Sequence, residues 1–481
     1  MNMEKLINFS DWLWSGPLIA IILFGGIYIS FRLKFLQFFK LPLIIKGVKK
    51  DAKSGNSGEG NISPLQTAFT AIGSTLGAGN IMGMAIAVSM GGLGAIFWMM
   101  IFGIFALLLK YSEVVLAIKH REKNMFGDFV GGPAYYLKKT AIPILGAAYA
   151  LTHAIQCLPS IGTQSMSVVQ SAETINIPAV VTGFVIFGIM FITVIGGVKR
   201  IANVMDVIVP FMAVAYFVLS WIIILYNYKN IPVVFVKMIE GAFSAPAAFG
   251  GLAGGGVAMT LRSGFARGIY SSEAGIGTTS IAYAAATTDY PARQALWGLV
   301  EVGTSTFLMC LTSALLVSVT GVYEKIDYLK AASMPAVAFQ EFYGSAFGGV
   351  AMTSIVILFV LSTVIVEALM GQREVEYLFG SKVGNLARYL YVIAVLIGVY
   401  LPLDHIVSLL DLSMAFLVVL NMFALITMVK DVVSETDIFF KVLKNAIACS
   451  RRTHYTGFSF FGKFFSKFYR LFKIIYKMKP F

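Results

Sequence analysis

Apolar residues run along this chain in long blocks, divided by short polar stretches. Pro17 to Phe31, Ala95 to Leu109 and Phe347 to Val366 contain no charged residue. Wound as helices, runs of roughly 18–25 apolar residues match the hydrocarbon core of a bilayer, about 30 Å thick. Lipid offers no partner to a backbone N–H or C=O, so each run is predicted to be helical. A barrel would need alternating segments of about ten residues, and these blocks do not alternate. The pattern predicts eleven spans: 12–33, 65–90, 94–118, 142–172, 178–196, 204–226, 238–262, 294–320, 346–371, 385–402 and 407–429. The first is followed by many more, so it reads as a retained helix rather than a secretory signal.

Composition agrees. Of 481 residues 58% are hydrophobic and 13% charged, against about 25% charged in a soluble domain. A water-soluble fold is excluded. The net charge of +13 would fit a nucleic-acid partner, but its placement argues against one. Cations crowd alternate loops: Arg32, Lys34, Lys40, Lys46, Lys49, Lys50 and Lys53; then Lys119, Arg121, Lys123, Lys138 and Lys139; then Lys199 and Arg200, Arg262 and Arg267, Arg373, and the tail from Lys430. The intervening loops hold few, namely Lys5, Lys229, Lys237, Lys325 and Lys330. This positive-inside pattern predicts an external N-terminus and a cytoplasmic C-terminus. The polar segment 51–61 reads as a flexible linker. The basic, aromatic tail 451–481 reads either as an amphipathic segment on the anionic inner leaflet or as a solvated tail. Cys157, Cys310 and Cys449 lack CxxC spacing and read as small apolar packing residues.

Two spans are rich in glycine. The second carries Gly73, Gly77, Gly79 and Gly83; the seventh carries Pro246, then Gly250, Gly251, Gly254, Gly255 and Gly256. Relative to Ala, Gly weakens a helix by about 1 kcal/mol and Pro by about 3, so both spans are predicted to unwind. Each opens a set of five spans, 65–226 and 227–430, flanked by an N-terminal helix and basic linker over residues 1–64 and by the tail 431–481. Five is odd, so the sets have opposite membrane orientation. An inverted repeat with one broken helix per half marks the solute site of a secondary transporter. Half-helix N-termini present free N–H groups to an anion, and freed carbonyls coordinate a cation. Small-residue spacing for close helix packing is the competing reading.

Polar groups inside apolar runs add to the picture. Glu367 lies well inside the ninth span, with Ser362 and Thr363 about one turn earlier. Those hydroxyls either ligate a hard cation or bond back to their own helix. Gln164, beside Thr163, Ser165 and Ser167, is a substrate contact or an interhelix bridge. Asn80 supplies a side-chain oxygen or caps the second half-helix. Lys110 and Glu113, three apart, are predicted to pair. Glu301 and Asp411, near span ends, receive no role, and His153 and His405 lack ligand spacing. There is no nucleophile–base set, P-loop or metal motif, so the chain is not read as an enzyme and no resident cofactor is expected.

GAGNIMGMAIAVSMGGLGAIFWMM (77–100), KYSEVVLAIKHRE (110–122), GGPAYYL (131–137), GGVKRIANVMDVIVPFMA (196–213), FARGIYSSEAGIGTTSIAYAAATTDYPARQAL (265–296) and REVEYLFG (373–380) resemble the alanine or glycine:cation symporter family over about residues 12–430. The resemblance implies an all-α, LeuT-type 5+5 inverted repeat with one extra N-terminal helix, in a bacterial cytoplasmic (inner) membrane. It implies sodium-coupled uptake of alanine or glycine. Gly73 and Leu76 carbonyls with Ser362 and Thr363 hydroxyls would hold Na⁺; Gly77, Ala78, Gly79 and Asn80 would face the substrate carboxylate; Gln164, Phe249, Gly250 and Glu367 would complete the pocket. Two departures stand out. Glu367 occupies a position where the family usually has Trp, and Ser165-Met166-Ser167 replaces the usual Ala-Asn-Ser. A carboxylate there would bind a different amino acid or serve proton coupling. A channel or receptor on the same fold is the remaining alternative, and the chain offers no sensor domain for it.

Overall fold

Proline and serine set where several helices begin. The computed structural model describes residues 9–451, apart from residues 11, 15, 54–57, 244–255 and 401–402. Helix α1 (Pro17–Arg32) opens on Pro17, whose missing N–H costs nothing at a helix start. Helix α2 (Leu41–Lys53) follows. Helix α3 (Pro64–Thr75) begins with Pro64 behind the N-cap Ser63, whose hydroxyl accepts the Gln66 N–H at 3.2 Å. Then come α4 (Ala78–Gly91), α5 (Gly94–Lys119), a two-stranded ribbon of β1 (Glu122–Lys123) and β2 (Phe129–Val130), α6 (Pro133–Leu137), α7 (Ile144–Glu173), α8 (Ala179–Ile195) and α9 (Gly197–Tyr226).

The second set follows: α10 (Ile231–Phe243), α11 (Gly256–Ser272), α12 (Ser280–Tyr283), α13 (Pro291–Val302), a π-helical segment (Gly303–Cys310), α14 (Leu311–Val319), α15 (Met334–Tyr343), α16 (Ser345–Phe379), α17 (Ser381–Tyr400), α18 (Leu403–Thr427) and α19 (Val429–Arg451). Residues 1–435 form one compact unit and residues 436–481 a second, whose described portion is the remainder of α19. Among the described residues eight helical stretches are long and apolar enough to cross a membrane: Trp12–Arg32, Pro64–Gly91, Gly94–Lys119, Ile144–Glu173, Gly197–Tyr226, Pro291–Val319, Ser345–Phe379 and Ser408–Thr427. Ala179–Ile195 is apolar but shorter. These nine, with α17 and the α10–α11 pair, fall where the eleven expected spans were placed.

The second expected span is broken: α3 ends at Thr75 and α4 starts at Ala78. Of the seventh, α10 is described to Phe243 and α11 from Gly256. Pro246, Phe249, Gly250, Gly251, Gly254 and Gly255 lie outside the described residues, as do the His405 side chain and the tail from residue 452. The ninth span runs past its expected end at 371 to Phe379. It carries Arg373, Glu374 and Glu376 into buried positions, because Arg373 pairs with Glu376 at 2.6 Å and Asp128 at 3.3 Å.

The linker is a further correction. Its residues 51–53 belong to α2, and Glu59 and Ile62 form bridges with Thr288 and Ala286. Asn61 secures it, accepting the Phe129 N–H at 2.6 Å and donating to Asp128 at 3.1 Å.

Candidate functional site

The site grows from the break. Leu76 still donates to Ile72 O at 2.8 Å, but its ψ of 70° turns the chain out of the helix. Gly77 is extended, and the helix restarts at Ala78. Asn80 caps that restart: its Oδ1 accepts the Gly77 N–H at 3.2 Å. Its Nδ2 reaches Ser271 O at 3.4 Å and Ser305 O at 3.3 Å. The second contact falls in the π-helical segment, whose altered register suits such insertions. Asn80 thus joins three elements at the break.

A seam of polar residues runs past it along α7 and α16, which are antiparallel. Ser171 and Thr353 hydroxyls meet at 3.1 Å. At the next level Gln164 and Thr363 flank Gly77. A Cβ added at 77 would lie 2.6 Å from Thr363 Oγ1 and 2.9 Å from Gln164 Nε2, so any side chain there forces one or both to shift. One turn on, Ser160 donates to Glu367 Oε1. Beyond that, His153 Nδ1 lies 3.3 Å from Glu374 Oε1.

Thr363 Oγ1 has three carbonyls within reach: Gly73 at 3.2 Å, Ser74 at 3.1 Å and Phe359 at 3.1 Å. One hydroxyl hydrogen serves only one of them. The surplus oxygens, converging in a buried place, are the ligand type a hard cation takes. Gln164 Oε1 accepts the Ala78 N–H at 2.9 Å and its Nε2 donates to Tyr270 at 3.2 Å.

The opposite wall comes from α11 and the turn after it. Glu273 ends α11 in the left-handed region at φ 50°, a conformation that costs a non-glycine residue about 1–3 kcal/mol. The surroundings hold it there. Its carboxylate accepts from Ser74 at 3.0 Å and from Thr278, and its carbonyl accepts from Lys110 Nζ at 3.0 Å. Lys110 is wholly buried, with Glu301 at 3.3 Å and Glu113 at 3.6 Å, both also buried. Glu113 Oε1 further accepts from the Gly275 N–H at 2.7 Å and Asn421 at 2.8 Å.

Several of these residues line one cavity, among them Ser74, Gly77, Asn80, Gln164, Tyr270, Glu273 and Glu367. The structure therefore gathers the expected Gly77, Gly79, Asn80, Gln164 and Glu367 there, with the Ala78 N–H on Gln164. Thr363 meets the Gly73 carbonyl as the cation reading requires. Ser362 differs: its hydroxyl lies 2.8 Å from the Phe359 carbonyl of its own helix and 3.6 Å from Met212 Sδ. Leu76 is buried at the break, and Phe249 and Gly250 lie outside the described residues. Lys110 pairs with Glu113 as expected, and Glu301, given no role, proves its second partner. His153, Tyr270 and Glu273 were missed. Among the described residues no group of three or more His, Cys, Asp or Glu is placed to hold a metal, so the cation reading rests on carbonyl and hydroxyl oxygens.

Such a helical bundle, broken at a buried polar cavity, has the LeuT-type transporter architecture. Its fold matches the solved structure of MhsT in complex with L-phenylalanine at a TM-score of 0.54 and 14% identity, covering 79% of this chain and 93% of that one. The chain belongs to the sodium:alanine symporter family, whose family model matches residues 1–452. It is 39% identical over 446 residues to an uncharacterized transporter, YflA, of Bacillus subtilis, covering 91% of this chain and 94% of the relative. It is 34% identical to the sodium/alanine symporter AgcS of Methanococcus maripaludis, covering 92% and 99%. It is 31% identical to the probable sodium/glutamine symporter GlnT of Bacillus subtilis, covering 89% of each. The protein is a polytopic membrane transporter of an amino-acid symporter family.

Proposed function

We propose that this chain imports a small neutral amino acid, of the alanine or glycine kind, together with Na⁺ by alternating access. The observation that carries this reading is the break at Leu76–Gly77. There the Gly73 and Ser74 carbonyls converge on the Thr363 hydroxyl, while the Ala78 N–H opens the next half-helix against Gln164. One side of the break suits a cation and the other a carboxylate, the pair that an amino acid with its coupling ion presents.

In this reading Na⁺ is a co-substrate held by the Gly73 and Leu76 carbonyls with Thr363. Ser362 joins by turning its hydroxyl away from Phe359. The substrate carboxylate lies against residues 77–80 and Gln164. Phe249, Gly250 and Glu367 close the pocket, the first two placed from the amino-acid sequence alone. Sodium orders the broken helix, the substrate completes the site, and both favour the same closed state, which is what coupling requires. The names of the relatives support sodium and an amino acid, and differ on which amino acid. The charge pattern of the loops supports a cytoplasmic membrane, with the N-terminus outside and the C-terminus inside.

The test is uptake of radiolabelled alanine and glycine by proteoliposomes with an inward Na⁺ gradient. Accumulation that collapses when K⁺ replaces Na⁺ supports the reading; accumulation that ignores Na⁺ removes it. Glu367 Oε2 favours a second reading, coupling to H⁺, because it is buried without a hydrogen-bond partner among the described residues. In that case uptake follows an imposed pH gradient, and Glu367→Gln removes the response.

A further inference from the structure

Glu367 is the rung of the α7–α16 seam that is only half satisfied. Its side chain lines the cavity and the residue is 7% exposed. Oε1 accepts from Ser160, whereas Oε2 faces no donor among the described residues. A buried carboxylate oxygen left without a donor is costly, more so than a neutral acceptor. The neighbouring rungs are closed by contrast: His153 meets Glu374, and Thr363 and Gln164 are engaged on the break. The other carboxylate on the cavity wall, Glu273, has donors on both oxygens, from Ser74 and Thr278. One strong acceptor therefore remains open in this region of the wall.

We propose that this oxygen binds a hydrogen-bond donor on the substrate's side chain. The preferred substrate is then a neutral amino acid bearing a hydroxyl or carboxamide (serine, threonine, asparagine or glutamine) in preference to alanine or glycine. The proposal rests on the transport site argued above and moves its preferred substrate from alanine and glycine to neutral amino acids with a side-chain donor.

Register on the seam separates this from simple recognition of the α-ammonium. Gln164 and Thr363 lie at the level of the break, where the substrate carboxylate sits in the proposed site. Ser160 and Glu367 are each four residues further along their helices, about 6 Å. The α-ammonium is two bonds from the carboxyl carbon and stays at the first level, among the carbonyls of the break. A polar atom on the γ or δ position of a side chain extends to the second. Ile276, Met370 and Met414 line the cavity as well, so the pocket has apolar surface for a short neutral side chain beside the open Glu367 oxygen. Sites built to bond a substrate donor reject the analogue that lacks it strongly, because a methyl group leaves the buried acceptor unpaired.

The experiment is competition binding on purified protein in detergent with Na⁺ present, using radiolabelled glutamine and serine against unlabelled alanine, glycine, asparagine, threonine and lysine, run beside uptake in proteoliposomes. The donor-bearing neutral amino acids are expected to compete at concentrations at least about tenfold below alanine. In Glu367→Met that advantage disappears, read as the ratio between the alanine and the glutamine or serine inhibition constants, whatever the change in overall affinity. In Glu367→Gln, which retains an uncharged acceptor, it shrinks without vanishing. Because the Met variant risks misfolding, Glu367→Gln and Ser160→Ala are measured in parallel, with monodisperse elution as the check. Four results overturn the proposal: alanine competing as well as serine and glutamine in the wild type; lysine outcompeting both; Glu367→Gln weakening every amino acid in equal proportion, the mark of α-ammonium binding; or Glu367→Gln changing only the pH response. Selective binding without accumulation upholds the proposal and removes the transport reading instead, and absence of binding by any amino acid overturns both.

Discussion

Thr363 and Ser362 are neighbours with the same functional group, yet their surroundings divide them. Thr363 stands among carbonyls from both sides of the α3–α16 contact, whereas Ser362 is engaged with its own helix and Met212. Removing the Thr363 hydroxyl strips a ligand from the place where surplus carbonyl oxygens collect. Thr363→Ala is therefore expected to raise the Na⁺ concentration for half-maximal uptake by about tenfold or more, and Ser362→Ala by only a few-fold, the effect of one replaceable ligand. Sodium titrations of initial uptake rates in the two variants measure this, and equal effects would disprove the asymmetry. At this scale the amino-acid sequence revealed the residues that are chemically out of place. Glu367 in an apolar run and Gln164 in mid-helix announce themselves by their cost in lipid. Glu273 does not, since it falls in an expected loop beyond the seventh span, and His153, though inside the fourth span, is a lone histidine without ligand spacing. Only the fold shows Glu273 reaching Ser74, a residue 199 positions away.

The helix break was legible because four glycines in eleven residues each weaken a helix, and it falls at Leu76–Gly77 within that stretch, while Gly73, Gly79 and Gly83 stay helical. Its capping was legible as an alternative for Asn80, and the structure selects that role. The π-helical segment was not, since Gly303–Cys310 carries no composition that separates it from an ordinary helix. Span ends were the weakest expectation. The ninth ends eight residues late because partners distant in the chain satisfy its terminal charges, which turn a predicted loop into buried helix. Gly77→Ala is expected to abolish uptake with little loss of folded protein, because the added methyl collides with Thr363 and Gln164 at a place that helix propensity itself would favour. Uptake at matched levels of monodisperse protein checks it; a wild-type rate would show that the flanking side chains give way.

Across the molecule, the apolar helical spans and the LeuT-type fold were readable before any coordinates, whereas the contacts between its two sets of helices were not. Lys110 is the clearest of these. From α5 in the first set it reaches Glu301 on α13 and the Glu273–Thr279 turn in the second. Replacing it strands two buried carboxylates, so Lys110→Met is expected to destabilise the protein by about 3–5 kcal/mol. Adding Glu301→Gln should recover some of that loss, since it removes one of the stranded charges. Thermal unfolding in detergent, followed for both variants, decides this, and a double variant no better than the single one would show that the ion pair is not the reason. The seam between α7 and α16 has a mechanical consequence. Residues 153, 160 and 171 meet 374, 367 and 353 in reverse order, with Gln164 and Thr363 on either side of Gly77 between them, so sliding either helix by one position would unseat these matches together. In the alternating-access reading proposed above, the pair acts as a splint, and the bending that exposes the cavity to each side in turn is taken up by other helices. Cysteines introduced at 171 and 353 and joined by a short bifunctional thiol reagent should leave the turnover rate unchanged.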